Sequence, residues 1–321
     1  MELRHLRYFV AVADELHVTR AASRLGIAQP ALTQQIKSLE RELQVNLFAR
    51  SGRGVTLTSA GEAFLLEARA ILAHVAAATV KARDAALGLR GRLSIGFTES
   101  ASFHPLVTQS FQAFRLACPE VELHLQEGHS PGLIEALTRG TLDFAFVRPP
   151  FPLDPEVQFD ILAEEQMMAA VPLDHRLAAK TQIVLADLSE ERFVLYPRAV
   201  RPGLSDSVVA ACQKSGFEPM VVQETPQLSS TINLVAAGMG ISVVPETMRQ
   251  VRHETVSYRP VADLELKAYL GLAGRRDNPS PIAANFRSVL GVCSRRPEVI
   301  PYVAQSRNFS PNIAPKNRPS R

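Results

Sequence analysis

Cysteine is scarce in this chain. The three among 321 residues, Cys118, Cys212 and Cys293, stand too far apart for a disulfide framework or a zinc ligand set. A reducing cytoplasm is the compartment this predicts. No stretch approaches the ~20 uninterrupted apolar residues of a membrane span. The opening residues Met1-Glu2-Leu3-Arg4-His5 lack the basic-then-apolar pattern of a secretory leader, so no membrane partner is expected. Catalytic signatures are missing too, with no His-Glu-x-x-His, Cys-x-x-Cys or Gly-Lys-Ser/Thr run. Gly238-Met239-Gly240 is a fragment of a dinucleotide-binding pattern, but it precedes an expected strand instead of following one. His104, His124 and His129 have no metal-ligand spacing and read as surface or cap residues. No metal, no cofactor and no enzymatic activity are expected.

A large charge excess is also lacking, since the net charge is only +3. Its distribution is uneven. Residues 1–60 carry eight Lys/Arg against five Asp/Glu, whereas residues 93–289 carry sixteen against twenty-three. A basic head on an acidic body suits a polyanion partner for the head alone.

The head reads as helices joined by a short turn. Leu3, Leu6, Phe9, Val10, Val12 and Ala13 recur at helical spacing. A second helix is expected from an N-cap at Thr19 to Gly26, a residue type suited to the left-handed turn that ends a helix. Pro30 suits the first turn of a third helix, in which Leu32, Ile36, Leu39 and Leu43 mark one buried face. The exposed start of that helix offers Gln29, Pro30, Ala31, Thr33, Gln34 and Lys37. Glutamine can bond adenine at two groove-facing atoms, threonine can meet a thymine methyl, and lysine can take guanine or phosphate. Phe48–Leu57 reads as a hairpin turned by Gly52 and Gly54, a wing carrying Arg50 and Arg53 for the DNA backbone or minor groove.

From Ser59 to about Leu89 the chain is proline-free and alanine-rich, and Ser59-Ala60-Gly61-Glu62 matches a capping box. Such a helix runs roughly 45 Å and cannot bury its apolar stripe on a small winged domain. A second copy of the chain is the expected cover. After Gly88-Leu89-Arg90-Gly91, strands and helices alternate in two sets, with crossing segments near Glu164–Val171 and Tyr258–Leu272. That order predicts parallel sheets in two lobes around a cleft. Ser100 and Ala101 start a helix after the first strand, Ser130 starts one after the second, and Arg201-Pro202-Gly203-Leu204 follow a strand of the second lobe. All stand at carboxyl ends of strands, where N–H and hydroxyl donors suit a carboxylate. The tail 293–321, rich in Pro, Asn, Ser and Arg, reads as disordered.

Leu6-Arg7-Tyr8-Phe9, Ala21-Ala22, Gln29-Pro30-Ala31-Leu32-Thr33, Leu39-Glu40, Leu47-Phe48 and Thr56-Leu57-Thr58 together resemble the LysR-type transcriptional regulators. The resemblance implies an α/β protein with a winged helix-turn-helix over 1–58, a linker helix and hinge over 59–91, and a two-lobed effector domain over 92–292 like periplasmic binding proteins. It implies promoter DNA, RNA polymerase, a carboxylate inducer and a homodimer-based tetramer as partners. Gly96-Phe97-Thr98-Glu99-Ser100, Glu127-Gly128-His129-Ser130 and Val235–Ser242 resemble the subgroup that controls aromatic-compound degradation and senses small aromatic or dicarboxylic acids. Muconate-responsive relatives have a carboxylate where Gln227 stands, paired with an arginine corresponding to Arg148. Here Arg148 is expected unpaired near the crevice, binding a carboxylate directly or facing solvent, and Thr98 and Glu99 replace smaller residues. Glu99 would repel an anion if it pointed inward. The alternative is an α/β enzyme domain acting on a small acid, fused to a DNA-binding head.

Overall fold

The computed structural model describes residues 1–52, 54–152, 154–196, 203–294 and 300–301. Arg53, Arg201, Pro202 and the tail beyond 301 lie outside the described residues. The chain divides into two units, Met1–Ala86 and Leu87–Arg321.

In the first unit, helices α1 (Leu3–Glu15), α2 (Val18–Leu25) and α3 (Gln29–Leu43) precede a hairpin of β1 (Phe48–Ser51) and β2 (Gly54–Leu57). Leu6, Phe9 and Val12 of α1 meet Ala21 and Ala22 of α2 and Leu32, Ile36 and Leu39 of α3 in one core. Phe9 sits at its centre, its ring 5.3 Å from Phe48 and 5.1 Å from Phe64. Burying a side chain of that size contributes about 1.5–3 kcal/mol. Gly26 ends α2 at φ 69°, and Pro30 is in the first turn of α3, as the sequence predicts. Two expected caps are displaced. Helix α2 begins after His17, so Thr19 is inside it. The long helix α4 (Ser59–Ala86) is capped by Thr58, whose Oγ1 accepts the Gly61 N–H at 3.0 Å, and no Ser59 box forms. Gly61 is required by contact, because a Cβ there would lie 2.1 Å from the Leu47 carbonyl oxygen.

At 28 residues α4 is about 42 Å long, and only Gly61 and Ala68 are buried. Its charged residues Glu62, Glu67, Arg69, Lys81, Arg83 and Asp84 flank an apolar centre. By length and composition alone it is long and apolar enough to cross a membrane, although the charges interrupt any continuous apolar run.

The second unit has two lobes. In lobe one, β4 (Glu120–Glu127), β3 (Arg90–Phe97) and β5 (Phe144–Val147) are parallel neighbours, followed by β11 (Lys267–Arg275) and the first half of β6 (Val157–Pro172). The two lobe-crossing strands correct the all-parallel expectation, since β11 runs antiparallel to both β5 and β6. Strand alternation assigns each face. Phe144 and Phe146 pack under α6 (Pro105–Ala117) and α10 (Pro281–Ser294), while Ala145 and Val147 pack under α7 (Ser130–Thr138).

The second half of β6 enters lobe two between β9 (Ser242–Pro245) and β10 (Val256–Pro260). There β7 (Arg192–Leu195) and β8 (Met220–Glu224) run parallel. Met167, Ala169 and Val171 face α8 (Leu204–Lys214), and Met168 and Ala170 face α9 (Leu228–Ala236). The second half of β6 is therefore buried on both sides, which is why Met167–Val171 is continuously apolar. The connections place the single turn α5 (Glu99–Ser102) after β3, α7 after β4, α8 after β7 and α9 after β8. Their N-termini converge on the space between the lobes.

Candidate DNA-binding face and effector cavity

The same periodicity that buries Leu32, Ile36 and Leu39 leaves the other side of α3 in solvent. Gln29, Pro30, Ala31, Gln34 and Lys37 are exposed, and Thr33 is half-buried. Gln29, Pro30, Thr33, Gln34, Lys37 and Arg41 line one open groove along the helix. The Thr33 hydroxyl is already engaged. It donates to the Gln29 carbonyl at 2.9 Å and accepts from Gln29 Nε2 at 3.2 Å, leaving its methyl for a base edge. Gln34 and Lys37 are the long polar side chains of this face. Orientation of α3 is fixed from behind. His5 accepts the Glu2 N–H at Nδ1, 3.1 Å away, so its Nε2–H donates to Gln35 Oε1 at 2.9 Å.

Glu40 is a residue the sequence reading passes over. Its Oε1 accepts the N–H groups of Leu47 and Phe48 at 2.8 and 3.1 Å, which ties the wing to α3. Only the local sequence Leu39-Glu40 hints at it, since the partners are seven and eight residues away. In the wing, Arg50 is exposed on β1 opposite Val55.

Between the lobes lies a cavity of about 520 Å³ lined by Thr98, Ser100, Ser130, Arg148, Gly203, Leu204 and Gln227 among others. Seven of the ten expected effector residues thus come together. Ala101 does not join them, being fully buried in the lobe-one core. Arg201 and Pro202 fall outside the described residues.

Arg148 is paired, contrary to the expectation. Its Nη2 lies 2.6 Å from Glu165 Oε1, with both side chains more than nine-tenths buried. Glu165 lies on β6, and its second oxygen accepts the Thr247 N–H at 3.0 Å. Arg148 Nε donates to Ser100 Oγ at 3.0 Å, so the Ser100 hydroxyl hydrogen remains free to point elsewhere. Ser130 has less to offer. Its Oγ donates to the Arg148 carbonyl at 3.0 Å and accepts the Arg148 N–H at 3.3 Å, clipping α7 to the end of β5. Gln227 donates to Glu127 at 3.3 Å instead of meeting Arg148.

Two buried polar atoms of residues that line this cavity have no hydrogen-bond partner within the described chain: Thr98 Oγ1 and Arg148 Nη1. An unpaired buried donor costs about 1–3 kcal/mol, so such atoms mark where a ligand would be held. A carboxylate fits the guanidinium edge and the hydroxyls of Thr98 and Ser100. Among the described residues no group of three or more His, Cys, Asp or Glu could hold a metal.

His104, the N-cap of α6, accepts the Leu106 N–H at Nδ1, 3.2 Å away. Burial pushes its pKa below the ordinary 6.5, opposed by the Glu165 charge and helped by Arg148. Above about pH 6.5 the ring is neutral in both folded and unfolded chains, and its pH-linked contribution is fully present. As pH falls the unfolded chain takes up the proton first, so stability is lost between 6.5 and the depressed folded value. His104→Asn keeps a cap acceptor and removes the titration. Its urea midpoint is expected to fall less than the wild type's between about pH 6.5 and 5, and parallel curves would refute the assignment.

Two family models cover nearly the whole described chain. Residues 3–62 match the bacterial regulatory helix-turn-helix protein, lysR family, and residues 86–292 match the LysR substrate binding domain. The HTH-type transcriptional regulator BudR of Raoultella terrigena is 40% identical over 286 residues, 89% of this chain and 99% of BudR. The crystal structure of CbnR, a LysR family transcriptional regulator, is 30% identical and superposes with a TM-score of 0.81, covering 90% of this chain and all of that one. The BenM effector binding domain with its effector benzoate is 28% identical with a TM-score of 0.57, covering 62% of this chain and 90% of that domain. With a helix-turn-helix model over its first part and a substrate-binding-domain model over its second, the chain belongs to the LysR family of DNA-binding transcriptional regulators.

Proposed function

We propose that this regulator senses a small organic acid in the inter-lobe cavity and reports it at a promoter bound by α3 and the wing. The observation that carries this reading is the buried, unpartnered Arg148 Nη1 edge beside the hydroxyls of Thr98 and Ser100. A catabolic operon is the matching target, and benzoate, the effector of BenM, is a ligand of the right class. The enzyme alternative has no support in the family, whose members here are DNA-binding regulators.

Self-association completes the reading. Val75, Ala78, Thr79, Ala82 and Ala86 form an open, largely apolar strip on α4, and Leu66 and Val80 are more than half exposed. A second copy of α4 would cover such a strip, giving a homodimer and, by pairing of dimers, a tetramer. Acid binding would then shift lobe closure and the disposition of the DNA-binding heads, changing contacts with DNA and RNA polymerase. The protein would work in the cytoplasm, where its DNA is.

The test is thermal and chemical unfolding of the full chain against a panel of aromatic and aliphatic acids. A ligand at 100 times its dissociation constant should add about 2.7 kcal/mol to the unit that binds it. The same acid should alter the footprint on promoter DNA. A panel without any stabilisation would sink the acid-sensing reading while leaving family membership untouched.

A further inference from the structure

The first residue of α5 is an acid, Glu99, at the cavity wall. Glu99 leaves lobe one and reaches α9 of lobe two. Its two carboxylate oxygens accept the Leu228 N–H at 2.6 Å and the Ser229 N–H at 3.1 Å, and the Ser229 hydroxyl as well. The sequence expectation that an inward Glu99 would repel an anion does not extend to this pairing with α9. The carboxylate takes the place an external anion would occupy at the first turn of α9, where the helix dipole is equivalent to about half a positive charge.

The rest of the described wall carries little positive charge. Arg148 is the one Lys or Arg lining the cavity there, and Glu165 already neutralises it. Glu127 stands at the rim and adds another negative charge, held by Gln227. One set of donors remains uncommitted, namely Arg148 Nη1, Thr98 Oγ1 and the Ser100 hydroxyl. A ligand with two carboxylates would have to displace Glu99 or lie against it, and like charges set side by side in a partly dry cleft are strongly unfavourable.

Building on the acid-sensing reading above, we propose that Glu99 is a specificity-determining residue that fills the α9 anion position from within and so restricts the cavity to ligands with a single carboxylate. Of the small aromatic or dicarboxylic acids expected from the sequence, this assignment favours those with one carboxylate. The bond also joins the lobes, so the same residue favours the approach of α5 to α9 before any ligand arrives.

The experiment uses matched acids that differ by one carboxylate on an unchanged skeleton. These are benzoate against terephthalate, and sorbate against trans,trans-muconate, titrated calorimetrically into the full chain. The wild type is expected to bind each monoacid at least about tenfold more tightly than its diacid. Two variants follow, Glu99→Gln, which keeps the shape, and Glu99→Ser, which opens space and leaves a short hydroxyl able to cap α9. In both, the ratio should narrow by about tenfold because the diacid gains more affinity than the monoacid. Circular dichroism shows whether each variant is folded. Equal affinities for monoacid and diacid in the wild type, or an unmoved ratio in both folded variants, would overturn the Glu99 assignment and leave acid sensing standing. Failure of all four acids to bind any of the three proteins would instead overturn the acid-sensing reading, and this assignment with it.

Discussion

Replacing Arg148 by methionine should destabilise the effector unit by about 3–5 kcal/mol, because it strands the Glu165 carboxylate in a buried site without its counter-charge. Both side chains are more than nine-tenths buried, the ion pair is 2.6 Å long, and no other Lys or Arg is paired with Glu165 among the described residues. Arg148 also organises the cavity wall through Ser100, and its backbone holds Ser130. Urea unfolding followed by circular dichroism reads the effect as a lower midpoint at constant slope. A companion variant separates the charge from the packing. Arg148→Met with Glu165→Leu removes both charges, and apolar replacement of a whole buried pair is often neutral, so most of the loss should be recovered. A single variant costing less than about 1 kcal/mol would mean that the pair behaves as a solvent-screened surface pair. Arg148→Lys tests the fork, since lysine keeps the charge but cannot hold Glu165 and Ser100 in one plane.

Local chemistry made the first unit legible and the place of the cavity readable, while long-range pairing hid the cavity's charge partners. Gly26, Pro30 and the stripe Leu32–Ile36–Leu39 each act within one helix turn or two, so their meaning is written beside them. The strands of lobe one and lobe two could be located because burial on both faces forces continuous apolar runs such as Phe144–Val147 and Ala169–Val171. The helix starts were missed by one or two residues for a single reason. Thr19 and Ser59 are good cap residues by type, but the cap goes to the residue whose backbone is extended at the turn. That is His17 for α2, and Thr58 serves α4.

The cavity's electrostatics were illegible for a different reason. Arg148 finds Glu165 on a strand that crosses between the lobes, and Glu99 finds α9 some 130 positions along the chain. Nothing near Glu99 in sequence marks it as the cap of a distant helix. Spacing rules report neighbours on one element, and these partners exist only once β6, β11 and the loops after β3 and β5 are assembled. Arg148 was expected unpaired because its relatives' partner position, Gln227, is neutral here. The charge was balanced by a residue that the comparison of those two positions could not reveal.

On DNA, the recognition face should divide its labour between two side chains that the structure leaves in solvent. Gln34→Ala is expected to weaken binding to the operator by about 1–3 kcal/mol, the usual worth of a two-point contact to a base edge. Binding to unrelated duplex DNA should be unchanged, because such contacts carry sequence information and phosphate contacts do not. Lys37→Ala should weaken both DNAs alike and flatten the dependence of log K on log salt by about 0.9, the effect of one lost phosphate contact on B-DNA. Thr33→Ala should cost clearly less than Gln34→Ala, since the Thr33 hydroxyl is spent on the Gln29 carbonyl. Fluorescence anisotropy over a salt series with operator and scrambled duplexes distinguishes all three. If Gln34→Ala lowered affinity for both duplexes by the same factor, Gln34 would be a backbone contact, and base reading would have to come from another part of the α3 groove.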